Sequence, residues 1–446
     1  MNPAGSPDEE RFDVAFVTAN TFEFDSRTLR TATALTASGL RVVVIGQSAP
    51  GLPRQAVVDG VVVRRPLVER RISAAFRPLP GPIRGLLTRA LGIDRRATVL
   101  RRRRPGWIER IRAPLRRAVE ILAYRRRIGP WTEAVLSAAP GASVFAAKAL
   151  VALPVAARAA RRAGGRYVFD VADLHVESDR LARLPRPLKA YLHRREGALV
   201  RGAAALTAST PAMAAEVARR YGAPSPLAVL NVRPRWRPDE TEPPVSTRLA
   251  DAAGVPAGRP LLLYQGAFRE GQGIEMLLAA LREPILHERS LTTVFMGFGT
   301  LEAPLRAAAA RDSRRIVVLP AVPSGELLEW TCGATVSFVG APPITINQRL
   351  TAPNKLFESL MAGVPVVVAA GTATAQLVEA AGAGTPVAPW TPAATASAIA
   401  ALLDLPDGER LALRRRIRAA ALERFSWETL RPSVVELYRS VAGGRS

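Results

Sequence analysis

Cysteine is almost missing from these 446 residues: Cys332 stands alone, so no intramolecular disulfide can form and a reducing compartment is expected. Long apolar runs are missing too. Spanning a bilayer takes roughly 20 apolar residues, and the nearest candidate, around Ala134 to Ala160, is broken by Lys148, Pro154 and Arg158. The opening MNPAGSPDEERFD is acidic and polar, without a basic start followed by an apolar core, so no secretory signal is expected. A soluble or peripheral chain in the cytoplasm is the resulting expectation. Lysine occurs only at 148, 189 and 355, and histidine only at 175, 193 and 287. What is present is ordinary globular material, 48% hydrophobic and 22% charged, with length for two to three domains.

The charge is uneven. Of a formal +24, a surplus of sixteen falls between Arg64 and Arg127, where twenty arginines face four acids. Within that stretch Ile83, Leu86, Leu87, Ala90 and Leu91, and then Ile108, Ile111, Leu115, Ala118, Val119 and Leu122, recur at three- and four-residue spacing. The spacing predicts two amphipathic helices, each with one apolar and one basic face, the second bracketed by Trp107 and Tyr124. Either that surface lies on anionic lipid headgroups, or the apolar face packs inward and the arginines are solvated. The chain-wide preference for arginine over lysine weakens any argument from arginine number alone. A nucleic-acid reading lacks interleaved aromatics, zinc-ligand spacing and a recognition helix.

Elsewhere the pattern alternates. Asp13 to Thr18 reads as strand, Arg27 to Ser38 as helix and Arg41 to Gly46 as buried strand: a βαβ unit of a parallel sheet. Val57 to Arg64 reads as further strand. After the basic stretch come strands at Ala142 to Ala146, Tyr167 to Val171, Ala204 to Ala208 and Leu227 to Leu230, with helices between. Prolines at 234, 238, 243, 244, 256 and 260 then mark a linker. A second alternating series begins at Leu261, and helices from Pro392 onward close the chain. The predicted fold is therefore α/β: two Rossmann-like, doubly wound parallel-sheet domains, residues 1–240 and 255–425, facing across a cleft that takes a ligand. Residues 426–446 form a closing helix.

Pro342 to Val368, PPITINQRLTAPNKLFESLMAGVPVVV, carries the most chemistry. Pro353 suits a helix's first turn. Asn354 and Lys355 follow where the helix dipole is positive, an end that suits a phosphate or diphosphate. Glu358, one turn on, could accept hydrogen bonds from the vicinal hydroxyls of a ribose. The competing reading is a capped helix with a solvated Lys and Glu. Two glycine-bearing strand ends, YQGAFREGQG (Tyr264 to Gly273) and MGFG (Met296 to Gly299), would let backbone approach a ligand closely, with Arg269 near phosphate. Neither is a P-loop or a G-x-G-x-x-G fingerprint. Asp25 and Arg27 follow the first strand, either facing the acceptor side of the cleft or capping the next helix.

Together, APNKLFESLMAGVPVVV, YQGAFREGQGIEMLLAAL, VFMGFGTLE, YVFDVADLH and the terminal RFSWETLRPSVVELYRSV resemble glycosyltransferase family 4, retaining enzymes of the two-Rossmann-domain GT-B type, in its PNKLFE-type branch. The resemblance implies that Glu358 holds the nucleotide ribose and that Ala352, Pro353, Asn354 and Lys355 meet the diphosphate. It sets Gly266, Gln272 and Gly297 near the donor, and Pro320 to Val322 at the base. Where the family has paired glutamates eight apart, this chain has Leu350, so Asn347 or Gln348 would take the sugar hydroxyls. The Arg and Lys of the first phosphate loop fall on Ala267 and Gln272, leaving Arg269 as the nearest cation. The histidine of the reacting centre falls on Ala172, with Asp173 and His175 adjacent.

The implied activity is retaining transfer from a nucleotide-diphosphate sugar to a saccharide or lipid-linked acceptor, in cell-envelope or exopolysaccharide synthesis. No cofactor is expected, and no metal, since no DxD-like pair stands in a suitable turn; Arg269 and Lys355 would supply the positive charge. The basic stretch would hold the enzyme peripherally on the inner face of an anionic membrane. Two other readings stay open, a nucleotide-sugar epimerase or hydrolase and a non-catalytic polyanion-binding protein. The scarcity of histidine bears on the first, and the Pro353 to Glu358 pattern has no purpose in the second.

Overall fold

The computed structural model describes residues 11–23, 25–68, 107–178, 181, 184–240, 242–256 and 258–444. The chain forms two compact α/β units. One comprises the residues up to Thr207, Glu216–Leu227 and the chain from Ser433; the other comprises Ala208–Ala215 and Ala228–Pro432.

In the first unit the strands are β1 (Val14–Val17), β2 (Val42–Ile45), β3 (Gln55–Val58), β4 (Val61–Arg64), β5 (Val144–Lys148), β6 (Arg166–Val171), β7 (Ala205–Ala208) and β8 (Leu227–Ala228). They are ordered β3-β4-β2-β1-β5-β6-β7-β8, so the order reverses between β1 and β5. β1 and β2 are buried at all eight positions, which is why their sequences read as unbroken apolar runs rather than alternating ones. The expected single strand from Val57 to Arg64 is instead a hairpin: β3 and β4 pair antiparallel, and Asp59 and Gly60 turn between them with φ of 47° and 77°. Positive φ at both turn residues is the hairpin geometry that an Asp-Gly pair permits.

The helix predicted to end near Tyr124 runs on as Trp107–Ala138 and buries Trp131 and Val135, so its later half packs as core. The amphipathic helix expected over Ile83 to Leu91 lies outside the described residues, as do the side chains expected on the apolar face from Ile108 to Val119. Among the described residues no helix is long and apolar enough to cross a membrane. The last helix, Trp427–Gly443, ends in the first unit, where Tyr438 packs on Phe16 with ring centroids 5.6 Å apart and Arg439 donates to the Ser38 carbonyl at 2.7 Å.

The second unit has β9 (Leu261–Ala267), β10 (Thr292–Phe298), β11 (Ile316–Leu319), β12 (Val336–Phe338), β13 (Val366–Ala369) and β14 (Gly384–Val387). All its pairs are parallel, in the order β11-β10-β9-β12-β13-β14. This is the doubly wound order, and its switch point lies between β9 and β12, where ligands of open α/β sheets bind at the carboxyl ends of the strands. The proline-rich segment read as a linker belongs to this unit and contains the helix Arg248–Ala253.

Candidate active site

Beside the switch point of the second sheet stands the helix Asn354–Met361. Pro353 precedes it with φ −76° and ψ 152°, and no side chain caps its first turn. The first amides of a helix have no carbonyl a turn behind them to bind, so this end keeps unmatched donors and a positive dipole. From Lys355 to Met361 every residue is buried, and Ser359 ties the helix to β12 through a 2.9 Å hydrogen bond between its hydroxyl and that of Ser337. Gly363, at φ +68°, stops the helix and lets the chain turn into β13.

Two charged side chains of this helix are buried, Lys355 at 9% exposure and Glu358 at 8%. Lys355 Nζ lies 3.9 Å from the ring centroid of Tyr264, a fully buried side chain of β9. Burial pushes the Lys355 ammonium down to about 7, against the opposing pull of Glu358, and Arg269 adds to the lowering. Glu358 accepts a 2.9 Å hydrogen bond from Gln265 Nε2, and Gln265 Oε1 in turn accepts one from the Thr331 hydroxyl at 2.8 Å. A chain of polar groups from three elements thus sets the angle of the carboxylate. A solvated lysine and glutamate on a capped helix is excluded.

The glycines act where β9 and β10 end. Gly266 and Gly297 are register partners, and a side chain on Gly297 would put its Cβ 1.9 Å from the Gly266 carbonyl oxygen. Gly266 itself, at φ +116°, is exposed, and the nearest atom to a Cβ there would be Lys355 Cε at 4.0 Å. The strand end is thus open to a ligand on the side where the lysine lies. Arg269 follows, exposed.

The sequence-predicted residues fall into groups. Gly266, Gly297, Lys355 and Glu358 come together at the ends of β9 and β10, with Arg269 near enough to act on Lys355. Asn354 is exposed, and its amide oxygen accepts from Asn231. Asn347 lies half-buried on a short helix, Ile346–Leu350, that the sequence did not announce. That helix is held by a capping box in which Gln348 and Thr345 bond reciprocally, and Gln348 Nε2 also donates to the Gly271 carbonyl at 3.3 Å. Thr345→Ala removes the cap and should lower stability by about 1 kcal/mol, read as a shift of the urea midpoint at unchanged slope. Gln272, Ala352 and Pro353 are half-buried. Pro320 is exposed after the edge strand β11, and Val322 packs against the apolar core beneath.

The remaining predicted residues belong to the first unit. Asp25 caps the helix Ser26–Ala37 by accepting from the Thr28 amide at 3.1 Å; it also pairs with Lys148 and accepts from Asn20 at 3.0 Å. Burial alone would raise its carboxyl, but Lys148 and these donors hold it below the usual range. Lys148 ends β5 and Asn20 follows β1, so this cluster sits at the first sheet's own switch point. Arg27 is buried and bonds Asp170 through both Nε and Nη2, at 2.7 and 2.6 Å, and Thr207 donates to the same carboxylate. Its guanidinium is therefore committed to that pair. Asp173 is half-buried in the turn after β6; His175 opens a single 3₁₀ turn, and its Nδ1 is buried with no hydrogen-bond partner among the described residues. Tyr264, Gln265, Thr331, Lys148 and Asn20 were not foreseen; a glutamine inside the apolar strand LLLYQ was the available signal.

Residues 259–405 match the family model described as Glycosyl transferases group 1. A D-inositol 3-phosphate glycosyltransferase of Xylanimonas cellulosilytica is 31% identical over 257 residues, which are 54% of this chain and 58% of that protein. The chain thus spans little more than half the length of the curated relative it matches. Among solved structures, a sucrose-phosphate synthase from Thermosynechococcus elongatus superposes with a TM-score of 0.68 at 16% identity, over 97% of this chain and 100% of the other. An α,α-trehalose 6-phosphate synthase from Burkholderia multivorans gives 0.65 at 17%, over 98% and 100%. The Anabaena protein HepE, solved with UDP-glucose, gives 0.63 at 14%, over 96% and 100%. At such identities the likeness defines the fold, the two-domain Rossmann-like fold that glycosyltransferases of the GT-B type share.

Proposed function

We propose that the protein is a retaining glycosyltransferase of family 4 that uses a nucleotide-diphosphate sugar. One observation carries the reading: the uncapped amino end of Asn354–Met361 lies beside glycine-opened strand ends, and its buried Lys355 and Glu358 are held by Tyr264, Gln265 and Thr331. A diphosphate needs donors and cations, a ribose needs an acceptor for two hydroxyls, and this helix offers both within one turn. The match of residues 259–405 to the group 1 transferase model supports it.

In this reading the diphosphate lies against Ala352, Pro353, Asn354 and Lys355, with Gly266, Gln272 and Gly297 giving its backbone room. Glu358 receives the ribose hydroxyls, Asn347 the sugar, and Pro320 and Val322 border the base. The acceptor hydroxyl attacks the anomeric carbon on the face from which the diphosphate leaves, the bond from that carbon to the diphosphate oxygen breaks, and the departing phosphate takes up the hydroxyl proton. Charge builds on the departing oxygen, and Lys355 and Arg269 stabilise it without a metal, so fixed charge and positioning do more than a strong base. Asp25, Asp173 and His175 serve the acceptor side, where Arg27, committed to Asp170, acts only as a structural partner; the acceptor is a saccharide or lipid-linked substrate of envelope or exopolysaccharide synthesis, in the cytoplasm or at the inner face of the membrane.

A panel of nucleoside diphosphates and monophosphates tests this by thermal shift, because a ligand bound only to the folded state stabilises by RT ln(1 + [L]/Kd). One diphosphate should raise the melting temperature well above its monophosphate. Equal shifts, or none, would remove the anion seat from the argument.

A further inference from the structure

The first unit contains an apolar pocket that the donor chemistry leaves unused. Three helices wall it: Tyr124 and Ile128 come from Trp107–Ala138, Leu150 and Pro154 from Ala149–Ala163, and Leu192 and Leu199 from Arg186–Arg201. Its volume is about 220 Å³, larger than the roughly 150 Å³ apolar cavity known to take up benzene. All six side chains are half-buried. Each leaves apolar surface in water that an occupying hydrocarbon would cover, and concentrated apolar surface of this kind marks a binding site more often than a leftover of packing. The polar end of Tyr124 is already satisfied, donating to the Val151 carbonyl at 2.8 Å.

The rim has a sign. Arg125 and Arg195 are exposed and border the pocket, and the Arg125 guanidinium sits 5.9 Å from the ring centroid of Tyr191. Neither makes a hydrogen bond or ion pair with a described residue. Of the described acids nearby, Glu177 takes Lys189, His193 and Arg220, and Glu196, which also lines the pocket, is buried with His193 Nδ1 3.8 Å from its carboxylate. Two exposed guanidinium groups without an ion pair among the described residues, against one buried carboxylate, complement an anionic amphiphile beside an apolar hole, and a phosphate suits the arginine fork. The pocket also lies at the carboxyl end of the twenty-arginine stretch, whose last members are Arg125 to Arg127. His175 Nδ1, buried with no hydrogen-bond partner among the described residues, also lines the pocket.

We infer that this pocket takes the hydrocarbon chain of a lipid phosphate, with Arg125 and Arg195 holding the phosphate at its mouth. The inference does not depend on the transferase reading. Calorimetric titration of the full chain with decyl phosphate, kept below its micelle-forming concentration, should show one saturable site. Leu199→Trp, which fills the pocket, and the double substitution Arg125→Glu with Arg195→Glu should each weaken it at least about tenfold. Decyl maltoside, with the same chain and no charge, should bind weakly and respond only to Leu199→Trp. The two arginines are exposed, so their variant keeps the parent melting temperature even if the tryptophan disturbs folding.

Phosphatidylglycerol vesicles separate the sources. Loss of vesicle binding together with decyl phosphate binding assigns the chain to a bilayer lipid, whereas loss of decyl phosphate binding alone assigns it to a lipid phosphate taken up singly. No binding by the parent protein, or binding unchanged in both variants, overturns the inference.

Discussion

Glu358→Ala should weaken binding of the preferred nucleoside diphosphate by about 10²–10³-fold, while binding of its 2′,3′-dideoxy counterpart, already weak in the parent, should fall much less. The reasoning starts from burial. Glu358 is 8% exposed, so its carboxylate does not compete through bulk water, and Gln265 fixes one of its oxygens at 2.9 Å. A hydrogen bond to a charged acceptor contributes about 1.5–3 kcal/mol, and the two hydroxyls of a ribose offer two donors. Removing Glu358 also removes the charge that favours the protonated form of Lys355. That side effect weakens ribose and dideoxyribose ligands alike, so the difference between the two ligands isolates the hydroxyl contacts. Gln265→Leu should give a smaller loss with the same ligand dependence, since it leaves the charge and frees its angle. If Glu358→Ala cost both ligands equally, the carboxylate would have no ribose to hold.

The sequence made some of this visible and hid the rest for physical reasons. Asn354–Met361 was legible because a proline, a one-sided apolar pattern and Gly363 mark its start, face and stop. The parallel strands were legible because burial on both faces removes polar residues from them. Hidden parts fall into two kinds. Pro284–His287, Ile346–Leu350 and Arg248–Ala253 have too few turns to show a helical period, and they stand among prolines and polar residues that read as loop. The partners of the site residues are the second kind. Gln265 and Glu358 are 93 positions apart, and Asp25 and Lys148 are 123 apart. Only the strand order brings those together, and a one-dimensional pattern carries no register between strands. Lys148 appeared merely as a charge interrupting an apolar run, yet it ends β5 beside β1 and holds the Asp25 carboxylate.

The largest pH effect should come from Lys355. In the free protein burial holds its ammonium near 7, so at pH 8 the amine is mostly neutral. An arriving diphosphate supplies negative charge where solvent is scarce, which favours the protonated form and raises the pKa. Binding at pH 8 should then take up about 0.9 proton, seen as a dependence of calorimetric enthalpy on the ionisation heat of the buffer. Affinity should fall about 50-fold between pH 7 and 9 if the bound pKa lies near 10 or above. Over that range a terminal phosphate, with a second pKa of about 6, is already at least about 90% ionised.

Lys355→Met should bind more weakly at pH 7, show no proton uptake and lose the pH dependence, whereas Lys355→Arg keeps the charge at every pH and should also be flat. The free protein provides an independent sign. Its folded-state pKa of about 7 lies below the 10.5 of an unperturbed lysine, so between those values the unfolded chain holds a proton that the folded one lacks. Stability should therefore rise with pH across that window as the cost of burying the charge disappears, and Lys355→Met should flatten the rise. A diphosphate affinity indifferent to pH, with no proton taken up, would mean that Lys355 does not meet the phosphates, and the cationic end of this helix would have to be sought at Arg269 alone.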